Sequence, residues 1–189
     1  TNCQTTAIAT GRSSAGDCVA TSISTTSNSG QAVVTVTSTT GFVMGDEVLL
    51  IQMTGTGAGN YEYQTVSSVG SSTSITMSAN LSNTYTNDGS SKAQMVRVPN
   101  YIDVTLAFSS TLNVSAWNGT IGGILAFRAG GTITVGSGSS IDVSGLGFSG
   151  GSGGTGGVGG GGANGVGTVG TDGTNGSGPG AGAKSAQAG

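Results

Sequence analysis

Histidine is absent from this sequence, and charge of either sign is scarce. Asp, Glu, Lys and Arg together make up 7% of the residues, against roughly 25% in an average soluble protein. The five cations, Arg12, Lys92, Arg97, Arg128 and Lys184, are scattered along the chain. A nucleic-acid site needs a basic stripe that makes several phosphate contacts. That excludes nucleic acid as a partner, and the same scatter excludes binding to anionic membranes. No apolar run approaches the length of a membrane-spanning helix, so no membrane insertion is expected. The acids are isolated as well. With no histidine and no clustered acid pair, the chain is expected not to be an enzyme and to carry no cofactor.

Cysteine occurs twice, at Cys3 and Cys18. Two ligands so spaced, with no histidine to join them, make a poor zinc site. A local disulfide is the better reading, and it implies an oxidising compartment. Serine, threonine and glycine stand where lysine and glutamate usually do. Such a surface suits secreted, fibrous or surface-attached material, whereas cytosolic enzymes keep themselves soluble largely by charge. The start at Thr1 rather than Met fits a chain whose leader has been removed, or a fragment.

The clearest β signal lies between residues 31 and 99. Residues 32–37 (AVVTVT) are rich in β-branched side chains, and residues 48–53 (VLLIQM) form a strongly apolar run. Residues 61–69, 74–77 and 93–98 read as further strands, separated by glycine and serine turns. No stretch of ten residues has helical periodicity. Residues 1–30 read as an extended N-terminal arm.

From residue 100 to 148 the strands become short and rhythmic. The stretch GTITVGSGSSIDVSG at 131–145 has the cadence of β-solenoid rungs, with glycine and serine at the corners. About three rungs are expected. Residues 149–189 are dominated by glycine, which recurs every third position at Gly150, Gly153, Gly156, Gly159, Gly162 and Gly165. Three readings fit this stretch: a flexible linker, a bundle of polyproline-II-like helices, and a collagen-type triple helix. The three-residue period favours the second, which requires neighbouring chains.

Several segments together resemble a module of large, secreted, glycine-rich bacterial surface proteins, some labelled adhesin-like or gliding-motility. They are STTGFVMGDEVLLIQM (38–53), GAGNYE (57–62), RVPNY (97–101), AWNGTIGGILAFR (116–128) and IDVSGLGF (141–148). The resemblance covers about residues 30–150. It implies a cell-surface or extracellular location and is nearly silent about activity.

The expected architecture is therefore all-β. It comprises an arm (1–30), a small antiparallel β sandwich or barrel (31–99), a short β-solenoid-like segment (100–148) and a polyproline-II-like tail (149–189). The expected role is that of a structural subunit in a fibre or surface assembly, whose partners are copies of itself. The alternative is a glycan-binding adhesin tip, with Trp117 and Tyr101 as stacking residues. Core packing is the competing reading for these aromatics and for Tyr61, Tyr63 and Tyr85. Asp46 and Glu47 could join Asp103 or Asp142 around a hard cation, but no Asp-x-Asp-x-Asp pattern supports this, and a solvated turn is favoured.

Overall fold

The computed structural model describes residues 11–12 and 19–148. Cys3, Cys18 and the glycines at 150, 153, 156, 159, 162 and 165 lie outside the described residues, so the disulfide and the glycine bundle fall there too. Among the described residues all regular structure is β, with no helix. The strands are β1 (Gly11–Arg12), β2 (Ala20–Ser22), β3 (Val33–Thr35), β4 (Glu47–Thr54), β5 (Tyr61–Ser71), β6 (Ser74–Met77) and β7 (Lys92–Val98). The shorter ones that follow are β8 (Asn100–Tyr101), β9 (Val104–Leu106), β10 (Thr111–Leu112), β11 (Arg128–Ala129), β12 (Ile133–Val135) and β13 (Ser140–Ile141).

Six strands form one antiparallel sheet in the order β2-β7-β4-β5-β6-β3. The sheet curls until its outer strands meet. Ile23 bridges Val36 across the seam. There the Ser24 N–H donates to the Thr35 carbonyl and the Thr37 N–H to the Ser22 carbonyl, each at 2.9 Å. Closure covers the edges that an open sheet would offer to other chains. The barrel therefore begins at β2, not at residue 31, and the end of the expected arm belongs to it.

The barrel interior is filled by Ile23, Val34, Val36, Phe42, Val48, Leu50, Val66, Ile75, Met77, Leu81, Tyr85, Ala93 and Met95. Strand β6 alternates in the usual way, with Ile75 and Met77 inside. Strands β4 and β7 are buried on both faces. Val48, Leu50 and Met95 point into the barrel, while Leu49 and Val96 on the other face are also buried. Strands covered on both faces read as continuous apolar runs, which explains residues 48–53.

The cover on Val96 is the second part of the fold. Strands β8, β9 and β10 make one turn of a coil, and β11, β12 and β13 stack on them in parallel. Thr111 lies beside Ser140, 29 residues later, with their hydroxyl oxygens 3.2 Å apart. The corners repeat as well. Ser109 has φ 57° and Gly138, above it, has φ 71°, so both turns use the left-handed conformation. The Thr132 N–H donates to Asp103 Oδ1 at 2.6 Å, and the Trp117 N–H to the Leu146 carbonyl at 2.8 Å. Residues 100–148 thus form two coils rather than three rungs. Parallel partners must be a full turn apart, so strands adjacent in sequence occupy different faces of one coil. Strand β1 pairs antiparallel with β8 on the side opposite β11.

The coil is bolted to the barrel at two points. Gln94, fully buried on β7, holds Gly122 by both backbone groups: Nε2 donates to the carbonyl and Oε1 accepts from the N–H, each at 2.9 Å. The second point is the ion pair between Glu47 on β4 and Arg128 on β11. Between the two parts lies a cavity of about 180 Å³, lined in part by Val96, Val114, Ile121 and Leu125.

Candidate functional site

Parallel stacking puts like residues over like. In the first coil Val104, Leu106, Leu112 and Val114 point inward and are at most 5% exposed. Ile133, Val135 and Ile141 pair directly over Val104, Leu106 and Leu112. Val143 occupies the same place in the second repeat as Val114 does in the first. These four are 48%, 47%, 42% and 41% exposed. The inward ladder is sealed in the first coil and uncovered in the second. Backbone at the end of a coil has the same character as a sheet edge, and it is a template for further strands. The closed barrel has no such edge along its seam, whereas this end of the coil combines an apolar ladder with a strand edge that has no strand neighbour among the described residues.

A second surface lies on the outer face of β5. Alternation along this strand puts Tyr61 and Tyr63 on one side and Glu62 on the other. The two tyrosine rings meet edge to face, with centroids 6.3 Å apart and planes at 86°. The Arg128 guanidinium sits 5.0 Å from the centre of the Tyr63 ring. Its Nε donates to both carboxylate oxygens of Glu47, at 2.9 and 2.8 Å, and Nη2 donates to Oε1 at 2.6 Å. Asn100 Nδ2 donates to Glu47 Oε2 at 3.0 Å. The result is a preorganised platform in which Tyr61 is the most exposed ring, at 60%. An aromatic face flanked by fixed polar groups can bind the apolar face of a sugar and its hydroxyls.

The residues expected to stack on a ligand are placed differently. Tyr101 is 4% exposed and packs against Phe127 inside the first coil, so it presents no face to solvent. An inward position on a coil strand buries an aromatic ring, and the sequence did not show which side Tyr101 takes. Trp117 is half-buried and leans on Phe148 at 5.7 Å. Tyr85 is buried in the barrel. Only Tyr61 and Tyr63 come together on an open surface. Their spacing of two on a predicted strand was the available signal. Nothing in the sequence links Glu47 to Arg128, which lie 81 positions apart.

The acids considered for a cation do not converge. Asp46 is buried and accepts from the Val43 N–H at 2.8 Å, bracing a turn. Glu47 is engaged by Arg128. Asp103 holds Thr132 across the coils. The Ser144 side chain and N–H hold Asp142 below the usual carboxylate range. No group of three potential metal ligands occurs among the described residues. No described helix is long and apolar enough to cross a membrane.

No family model and no curated protein matches the chain. Among solved structures, it is similar to the Gp54 tailspike of Acinetobacter baumannii bacteriophage AP22, solved in complex with A. baumannii capsular saccharide. That match has 10% identity and a TM-score of 0.36, and covers 47% of this chain and 17% of the tailspike. It is also similar to the tailspike protein gp49 from Pseudomonas phage LKA1, at 13% identity and a TM-score of 0.33, covering 51% of this chain and 20% of that one. The chain therefore spans a fifth or less of these tailspikes. The likeness is one of β-rich architecture.

Proposed function

We propose that this chain is a structural subunit of a secreted bacterial fibre or surface assembly at the cell exterior. It self-associates through β-strand contacts, and its glycine-rich C-terminal stretch bundles with that of other copies. The observation that carries this reading is the uncovered ladder of Ile133, Val135, Ile141 and Val143 above a sealed first coil. Supporting it are a surface poor in charge and a three-residue glycine period that needs neighbours to be satisfied. The reading assigns no catalytic residue. Its test is negative-stain imaging of the full chain together with sedimentation over a concentration series. Filaments or sheets, with mass rising with concentration, are expected. A chain that stays monomeric at the highest concentrations overturns it.

The second reading is glycan binding at the Tyr61–Tyr63–Arg128 platform, favoured by the exposed edge-to-face pair and the fixed guanidinium. Tyr61→Ala is expected to weaken binding to a responsive polysaccharide by about tenfold. Trp117→Ala, whose ring packs on Phe148 and not on the platform tyrosines, is expected to leave it unchanged. Equal binding by wild type and Tyr61→Ala, or no binding to any glycan on an array, removes this reading.

A further inference from the structure

Resting on the self-association reading, we infer that the open coil end is a self-complementary contact that pairs with the same end of a second copy. Three observations select that occupant. The first is the chain's own continuation. A third coil at the 29-residue spacing of Thr111 and Ser140 would set Gly162, Asn164, Gly170 and Asp172 over Ile133, Val135, Ile141 and Val143. Two glycines, an amide and a carboxylate do not continue the four apolar positions, so the sequence repeat loses its inward ladder after two coils. The second concerns head-to-tail stacking. On the far side of the first coil β8 already carries β1, and the ladder there is sealed. That side of the coil therefore presents no exposed apolar ladder to match the four side chains of the open end.

The third is self-complementarity. The exposed ladder is uncharged and apolar along its length, and an identical ladder related by a two-fold axis is a surface of the same kind and extent. Asp142, between Ile141 and Val143, points to the other side by strand alternation, and its carboxylate is held by Ser144. Among the described residues β12 has a strand neighbour, β9, on one side only. Its outer backbone groups are therefore placed to pair antiparallel with β12 of the second copy.

The test uses the full chain. Hydrogen exchange over residues 133–143 is followed as protein concentration is raised, alongside sedimentation. Wild type is compared with the double variant Ile133→Asn/Ile141→Asn, in which both side chains are already exposed. Phe108→Asn, at an exposed position on a coil corner, is the control. In wild type, protection of 133–143 is expected to rise with concentration. In the double variant, the association constant should fall at least about tenfold, while Phe108→Asn behaves as wild type. Protection that is complete at low concentration in a monomer means the chain's own C-terminal residues cover the end, and overturns the inference. Filaments in which 133–143 stay unprotected, or in which the double variant associates as wild type does, overturn it and leave the fibre reading standing. A wild type that never associates removes both. The wild-type exchange profile decides the matter even if the double variant misfolds.

Discussion

Tyr85→Ala will destabilise the barrel by about 3–5 kcal/mol, the cost typical of emptying a buried aromatic site. That is a large share of the roughly 5–15 kcal/mol that holds most domains folded. Tyr85 is fully buried among the barrel's apolar side chains. It also ties two distant segments together. Its N–H donates to the Ser27 carbonyl at 2.8 Å, and the Ser27 N–H donates back at 2.9 Å. Its hydroxyl donates to Glu62 Oε1 at 3.1 Å. Glu62 in turn accepts from the Ser82 and Asn83 N–H groups, each at 3.0 Å at its nearest oxygen. Removing the ring thus opens a cavity and cuts the link to Glu62, while the backbone pair with Ser27 remains. Tyr85→Phe keeps the ring and should cost only about 1 kcal/mol.

Urea unfolding of the three proteins checks the ordering, and a loss below about 1 kcal/mol for Tyr85→Ala would contradict the packing argument. The same cluster sets an acid dependence. Burial alone would raise the Glu62 pKa, but the hydrogen bonds from Ser82, Gln64, Asn83 and Tyr85 outweigh it and hold the group below the ordinary glutamate range. A group depressed on folding contributes its stability above its unfolded pKa and loses it as pH falls through the folded one. Burial, then the charge of Glu62, pushes the Tyr85 hydroxyl up, so it remains a donor throughout.

Gln94→Leu will detach the coil from the barrel at an expected cost of about 2–4 kcal/mol, because it strands both backbone groups of Gly122 against an apolar side chain. Leucine fills most of the same volume, so the loss reports the hydrogen bonds rather than a cavity. The loop cannot easily find another geometry. Gly122 has φ 103°, and a Cβ there would lie 2.5 Å from the Ala116 carbonyl oxygen. The damage should be local. Amides of residues 115–126 exchange faster and the segment becomes open to proteolysis, while the barrel amides keep their protection. Unchanged exchange over 115–126 would show that the Glu47–Arg128 pair and the apolar contacts hold the coil without Gln94. In the fibre reading this clamp has a role beyond stability, since it fixes the direction in which the open coil end points.

Much of the β content was legible because it rests on local patterning. The β-branched run at 32–37 and the apolar run at 48–53 mark strands without reference to anything distant, whereas the turn expected at 70–72 falls at Ser72–Thr73, with Gly70 and Ser71 still in β5. The rhythm GTITVGSGSSIDVSG marked a solenoid for the same reason. What periodicity could not supply was the pairing distance. Residues 104–115 and 133–144 read VTLAFSSTLNVS and ITVGSGSSIDVS, and their match lies at the level of the whole coil. Reading single strands as rungs conceals it. Tyr101 was misplaced for a related reason, since side-chain direction depends on the corner that precedes a strand. Glu47 and Arg128 meet only because the coil folds back over the outer face of β4.

The sequence by itself determined the class of the protein. Patterning demands strands and offers no helix, which follows from residues close together in the chain. Only the tertiary structure decided which surfaces remain open. Closure of the barrel at Ile23 and Val36 hides the edges that sequence alone would have offered for strand addition. Stacking of the two coils then seals Val104, Leu106, Leu112 and Val114 while leaving Ile133, Val135, Ile141 and Val143 uncovered. The two sets are nearly identical in kind. Their difference in exposure comes from position in the stack, a property of long-range contacts that no local pattern encodes.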